Sequence, residues 1–342
     1  MLTKRMLDFL NEHFQGEITH VPIRKIWLSK GQVIDYALLM LKWPFIINKV
    51  DVITIHATSD FHLTVAPLLI WMARLKKKKM VYHFFGGSFH KRFMRLPGVW
   101  KSLLKKSVLS ADTVLVETKE MVHFFTELGV KVKWLPNSRA PQTIRVSSRY
   151  EYNMVFISRV TPNKGVNEII QAMDLLDNKY SIDIYGPLDT AHYTEEMFDG
   201  KSVNYKGILP DNEVLTTIQK YNVLLLPSYH PGEGYPGIII EALSIGMPVI
   251  STKWNAIPEI IMHGENGLLV PVKQVDELAN AMTYFTPENY PDFSAKALKS
   301  FDNFNSHKVF ANLLSCYDSR VFFLQNSSCF ISMENSAIAK NN

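Results

Sequence analysis

Cysteine is nearly absent from this chain, with two in 342 residues, Cys316 and Cys329, so neither a disulfide framework nor a zinc-finger spacing is available. Long apolar runs are absent as well: VAPLLIWMA at 65–73 contains Pro67 and ends in basic residues, well short of the ~18 residues of a spanning helix. The start, MLTKRMLDFLNEHF, has charge but no long apolar region after it, so no signal peptide is read there. HExxH, GxSxG and histidines three or four apart are missing, which leaves zinc and serine hydrolase readings without support. No two aspartates lie two apart, so the DxD by which many transferases hold a metal is missing too.

What is present is 47% hydrophobic residues, enough for two cores in a chain of this length. Residues 1–150 carry 24 Lys and Arg against 10 Asp and Glu, and the remainder 13 against 22, so the halves are +14 and −9. Such asymmetry points to two domains with different partners. The basic half, through Arg74, Lys76, Lys77, Lys78, Lys79, Lys91, Arg92 and Arg95, suits an anionic membrane surface or an anionic acceptor. The simpler reading of RLKKKK is a solvated helix end complementing the helix dipole. Nucleic acid is not expected, since no nucleic-acid-binding motif accompanies the charge.

Short apolar strands alternate with amphipathic helices, which predicts α/β architecture with parallel sheets covered on both faces. Strands are expected at 18–22, 52–57, 80–85, 113–117 and 131–136, then at 153–158, 180–186, 203–207, 222–228, 248–252 and 267–270. In the second half, helices are expected after Gly165, Asp211, Gly237, Pro258 and Gln274. The predicted organisation is a Rossmann-like domain at 1–138, a polar linker at 139–152, a second Rossmann-like domain at 153–290, helices at 291–320 with the last returning to the first domain, and a weakly ordered tail at 321–342. Two doubly wound domains facing across a cleft would place ligands at the carboxyl ends of the strands.

The chemistry concentrates in EGYPGIIIEAL, where Glu233 and Glu241 flank a turn and a helix start near Gly237. Helix amides there favour an anion such as a diphosphate, and the two carboxylates can accept hydrogen bonds from sugar or ribose hydroxyls. ISRVTPNKG brings Arg159 and Lys164 to the end of the first strand of that half, where they would meet the same anion. Taken singly, these are ordinary surface charges. GEGYPG also satisfies GxGxxG, with Glu259 about 20 residues on, so a dinucleotide-binding oxidoreductase stays open as an alternative. Against it, Pro236 interrupts the motif, the unit falls late in the chain, and Glu259 follows Pro258 instead of ending a strand.

The runs SRVTPNKGVNEII, VNYKGILP, VLLLPSYHPGEGYPGIIIEALSIGMPVIST and NAIPEIIMHGENGLLV, in this order, resemble the retaining glycosyltransferases of the GT-B fold, family 4 type, which build bacterial envelope polysaccharides. The resemblance covers about residues 1–318. It implies a nucleotide-diphosphate-sugar as donor substrate, no cofactor and no metal, transfer with retention, and a glycan, lipid-linked acceptor at the inner face of the cytoplasmic membrane. By the same resemblance Arg159 and Lys164 bind the diphosphate, Glu233 contacts the transferred sugar, Gly234, Tyr235, Pro236 and Gly237 border sugar and phosphate, and Glu241 holds the ribose. HFFGGSF is similar to the family's cleft loop, placing His83, Gly86, Gly87 and Ser88 near sugar and acceptor. It also implies that the leaving phosphate takes the acceptor proton, so no protein general base is assigned. Two departures stand out. The opening strand and glycine-rich loop of the family are missing ahead of the first helix, and Phe85 stands where many relatives have a second histidine. A catalytically impaired nucleotide-sugar-binding or accessory protein is therefore a second expectation.

Overall fold

A computed structural model describes residues 2–22, 30–58, 61–198, 202–317 and 320–326. Its two compact units are Met1–Pro136 with Val309–Asn342, and Asn137–Lys308. In the first unit the strands are β1 (Glu17–Pro22), β2 (Val52–Ala57), β3 (Lys79–Phe84), β4 (Thr113–Val116) and β5 (Val132–Trp134). The second contributes β6 (Asn153–Ile157), β7 (Ser181–Tyr185), β8 (Val203–Tyr205), β9 (Val223–Leu226), β10 (Val249–Thr252) and β11 (Gly267–Val270), and the chain then returns to the first with β12 (Arg320–Asn326). Helices α1 (Leu2–His13), α2 (Lys30–Lys49), α3 (Ala66–Leu75), α4 (Phe89–Arg95), α5 (Gly98–Lys106) and α6 (Lys119–Glu127) cover the first sheet. Helices α7 (Val166–Met173), α8 (Val214–Ile218), α9 (Gly237–Ser244), α10 (Val275–Thr283) and α11 (Tyr290–Ser300) belong to the second unit, and α12 (Ser306–Ala311) begins there and ends in the first.

Both sheets are six-stranded and parallel, ordered β1-β12-β2-β3-β4-β5 and β11-β10-β9-β6-β7-β8. The continuous apolar runs VITIHA and VLLL, on central strands, are buried along their whole length, and so is GLLV on the edge strand β11. In the first sheet, alternate residues serve two cores. Ile53, Ile55, Tyr82, Phe84, Val114, Phe322 and Leu324 face α2 to α6, whereas Val52, Val81, Leu115, Val321 and Phe323 face α1 and the 309–317 segment. This alternation follows from the two-residue period of a strand.

β12 corrects the expectation of a loose tail from Val321. It lies between β1 and β2, with Val321 to Leu324 at most 1% exposed and Phe323 aligned with His20 on one side and Thr54 on the other. The strand expected to be missing from the first sheet is thus supplied from the other end of the sequence. Its backbone groups pair on both sides, which removes the unsatisfied edge that a vacant central slot would leave. The rest of the expected tail, 327–342, lies outside the described residues.

Two further expectations are corrected. The 139–152 stretch is not a free linker, because Arg139 bridges Asn305, the Val146 amide donates to Ile245 O at 3.1 Å and Tyr150 is buried, all within the second unit. No α-helix follows Pro258. A single 3-10 turn, Ile257–Glu259, forms instead, since MHGENG, with Gly264 at φ +81°, stops propagation a few residues later.

Candidate active site

The second sheet orders β9 beside β6, so the loops after these strands meet. The 162–164 turn after β6 ends on Gly165 at φ +81°, and a Cβ there would lie 2.3 Å from Pro227 O. Glycine permits both the left-handed backbone and this approach. The Tyr229 amide donates to Asn163 O at 2.9 Å, stitching the two loops together. Gly165→Ala should therefore displace the loop that carries Lys164, at about 1–2 kcal/mol for the backbone conformation alone. A lowered melting temperature together with weakened ligand binding is the expected outcome, checked by thermal unfolding and titration.

Lys164, only 7% exposed, donates from Nζ to Glu233 Oε2 at 2.5 Å, and Ser228 Oγ donates to the same oxygen at 2.6 Å. His230 completes the cluster. Its Nδ1 lies 3.0 Å from Asn163 Nδ2, and its carbonyl accepts from Trp254 Nε1 at 2.8 Å. Burial lowers the His230 pKa; Lys164 and Arg159 push the same way and Glu233 opposes them. Arg159, an exposed side chain just past the end of β6, is thus close enough for its charge to act on the cluster. The structure joins Lys164 to Glu233 directly.

Glu241 is on α9, whose first turn begins at Gly237 after Pro236. It accepts from Arg139 Nε at 2.5 Å, and Arg139 Nη1 also donates to Asn137 Oδ1 at 2.8 Å and Ser138 O at 3.0 Å. The guanidinium covers Gly237 so closely that a Cβ there would lie 1.9 Å from Nη2. Tyr235 and Pro236 are buried and Gly234 half-buried; Asn137 Nδ2 donates to Tyr235 O at 3.0 Å, and the Tyr235 hydroxyl bonds Glu259. The Ile239 and Ile240 amides donate to Pro236 O at 3.1 and 3.4 Å, so the anion-favouring end of α9 consists of its dipole and the Gly237 and Ile238 amides that precede them. Sequence reasoning missed Ser228, His230 and Arg139. Arg139 left no periodic signal because its partner is 102 residues away.

His83 belongs to the first unit and is 1% exposed. Its Nδ1 is 3.0 Å from His56 Nδ1, so one ring donates and the other accepts, while His56 Nε2 is 2.8 Å from Thr54 Oγ1. His83 Nε2 is buried with no hydrogen-bond partner among the described residues. Phe323 of β12 stacks on His56 at 4.1 Å, and Phe85 packs on His83 at 4.4 Å between ring centroids. Gly86, at φ +92°, and Gly87 form the turn after β3, and Ser88 precedes α4, its carbonyl accepting from the Lys91 and Arg92 amides while its hydroxyl caps none of them.

Burial pushes His83 down to about 3 and holds His56 and His62 well below the usual histidine value of 6.5. These rings stay neutral at pH 7. Below the unfolded value the unfolded chain binds more protons than the folded one, so the stability they contribute is present above about pH 6.5 and is lost as pH falls toward 3. Denaturant titrations from about pH 7.5 to 5 should show the first unit weakening by up to about 1.4 kcal/mol per pH unit for each histidine. Flat stability over that range would contradict this.

With the site laid out, its likeness to known proteins can be placed. The family described as Glycosyl transferases group 1 matches residues 151–286, which contain Arg159, Lys164, Glu233 and Glu241. The matched residues lie wholly within the second unit. Similar to this chain are the amylovoran biosynthesis glycosyltransferase AmsK of Erwinia amylovora, 28% identical over 46% of this chain and 42% of AmsK, and an uncharacterized 41.2 kDa protein in the cps region of Klebsiella pneumoniae, 26% identical over 76% and 78%. The putative colanic acid biosynthesis glycosyltransferase WcaL of Escherichia coli is 30% identical over 39% of this chain and 36% of WcaL. The matches thus span less than half of AmsK and of WcaL. Among solved structures, HepE of Anabaena in complex with UDP-glucose superposes with TM-score 0.65 at 16% identity, over 92% of this chain and 96% of HepE. The two parallel six-stranded sheets, each flanked by helices, are the GT-B fold. The Lys164–Glu233 pair falls within the residues that match the family.

Proposed function

We propose that the chain is a retaining, metal-independent glycosyltransferase that moves a sugar from a nucleotide-diphosphate-sugar to a lipid-linked glycan during synthesis of a bacterial exopolysaccharide or capsule. The observation that carries this reading is the Lys164–Glu233–Ser228 cluster beyond the carboxyl ends of β6 and β9, in the group 1 domain. Support comes from the names of AmsK and WcaL, both polysaccharide biosynthesis glycosyltransferases, and from HepE, solved with UDP-glucose.

Lys164 and Arg159 neutralise the diphosphate, and the first amides of α9 bind it through hydrogen bonds that strengthen as the leaving group gains charge. Cationic side chains and amides fill the role that a metal held by DxD would play. Glu233, oriented by Lys164 and Ser228 through Oε2, offers Oε1 to a hydroxyl of the transferred sugar. Glu241, held by Arg139, offers its remaining lone pairs to the ribose. The departing phosphate accepts the proton of the acceptor hydroxyl, and the sugar keeps its anomeric configuration. His83 and the Gly86–Ser88 turn serve the acceptor side. The enzyme works in the cytoplasm, at the inner face of the membrane; among the described residues no helix is long and apolar enough to cross one.

The accessory-protein reading loses its main motivation, because β12 completes the first sheet. The oxidoreductase reading is disfavoured because β9 ends at Leu226 and α9 begins at Gly237, too long a connection for a dinucleotide turn, while Glu259 lies in a 3-10 turn bonded to Tyr235. Calorimetric titration with a panel of nucleotide sugars, then NMR of the product's anomeric configuration with and without a chelator, tests the proposal. Absence of binding to every nucleotide sugar would overturn it; an inverted product would overturn retention.

A further inference from the structure

Residues 61–110 contain eleven Lys and Arg and not one Asp or Glu. This stretch builds α3, β3, α4 and α5, and its helices share one face of the first sheet with α2. A helix resting on a core ordinarily turns a polar side to water. Here α2 and α3 do not. α2 buries Leu39, Trp43 and Ile47 yet turns Leu41 and Phe45 outward, Phe45 being 71% exposed. α3 buries Leu69, Ile70 and Ala73 yet turns Leu68, Trp71 and Leu75 outward at the three-and-four spacing of one helical side, with Trp71 58% exposed.

These outward sides form one surface. Trp43 Nε1 donates to Leu69 O at 3.3 Å, joining α2 to α3. Arg74 Nη1 donates to Lys106 O at 3.2 Å, joining the end of α3 to the end of α5, and Trp100, on the first turn of α5, is also exposed. Lys76 to Lys79 follow α3, and Lys101, Lys105 and Lys106 stand on α5. The result is an apolar and aromatic patch bordered by cations, larger in kind than the scattered exposed leucines of an ordinary surface.

We infer that this face is a monotopic insertion surface for an anionic bilayer, seated with Phe45, Trp71 and the outward leucines at the boundary of headgroups and acyl chains and the lysines on lipid phosphates. Lysine stems lie along the apolar patch while their ammonium groups reach the headgroups, and tryptophan favours this same interfacial depth. A second copy of the chain is a poor occupant, because two-fold pairing through this face would set one cluster of lysines against another. The inference deepens the membrane element of the proposed function: purely electrostatic adsorption needs only the lysines, whereas insertion uses the apolar residues that both helices leave uncovered.

The test uses the full chain with phosphatidylcholine vesicles, with and without phosphatidylglycerol. Expected are sedimentation with the phosphatidylglycerol vesicles, partial retention at high salt, and quenching of tryptophan emission by brominated acyl chains that is reduced in Trp71→Phe. The pair Phe45→Ser and Trp71→Ser, both at exposed positions, should weaken vesicle binding by at least about tenfold and abolish its salt resistance. Lys76→Glu with Lys77→Glu should weaken binding at low salt. The inference is overturned by lack of binding to anionic vesicles, by serine variants that bind like the parent, or by a solution dimer that those substitutions dissociate. UDP-sugar titration on the same preparations separates the two readings: vesicle binding lost with donor binding intact sinks the surface alone, and the reverse sinks the transferase reading alone.

Discussion

Lys164→Ala weakens nucleotide-sugar binding by about ten- to a hundredfold, the expected loss of ~1.5–3 kcal/mol for a charge-assisted hydrogen bond to the diphosphate. The same change removes the partner of a buried carboxylate, since Lys164 and Glu233 are both almost enclosed. Breaking one side of such a pair costs about 3–5 kcal/mol, mostly because the remaining charge is stranded. The two effects can be separated by adding Glu233→Gln. The neutral amide no longer needs a cation, so the double variant should recover much of the stability while donor affinity stays low. Thermal unfolding reads the first effect and calorimetric titration the second. Unchanged affinity in Lys164→Ala would mean that the lysine serves only the fold.

Removal of residues 320–342 should unfold the first unit. Val321, Phe322, Phe323 and Leu324 are each at most 1% exposed and divide between the two cores of the first sheet. At ~1.5–3 kcal/mol per buried side chain their loss is roughly 6–12 kcal/mol, about the whole stability of a typical domain. β1 would also lose its one sheet neighbour, and His56 the ring stacked on it. Hydrogen exchange should show the amides of β1 and β2 unprotected while those of β6 and β9 remain slow, and binding by the second unit should survive. Phe323→Ala, a milder version, should cost about 3–5 kcal/mol. If the shortened chain melts like the full one, β12 is not holding the sheet.

The strands of both units were legible because parallel strands buried on two faces must be apolar throughout, and VITIHA and GLLV coincide with β2 and β11. RVFFLQN has the same character, but it opens a stretch without helical period, so no alternation of strand and helix marks it as part of a βαβ unit. The Lys164 and Glu233 constellation was legible through charged residues standing at the ends of apolar strands. Its supporting groups were not. Ser228 reads as an ordinary turn residue, and Arg139 sits in a polar stretch whose backbone is clamped to 304–306, with Arg139 N donating to Phe304 O at 3.0 Å and Ser306 N to Arg139 O at 2.8 Å. Such pairing across more than a hundred residues depends on topology, which local pattern does not encode. In the first unit, His83 is singled out in the sequence by the glycines that follow it, while its partner His56 appears as one more strand residue.

The position of β12 also fixes an order of events during synthesis. A ribosome releases residues 137–308, which carry the whole second sheet, before it has made the strand that separates β1 from β2. The nascent N-terminal region must therefore wait with an open groove in its sheet, two strand edges apart, until residues 320–326 have emerged. Its vulnerability to misfolding and to chaperone capture is concentrated in that interval.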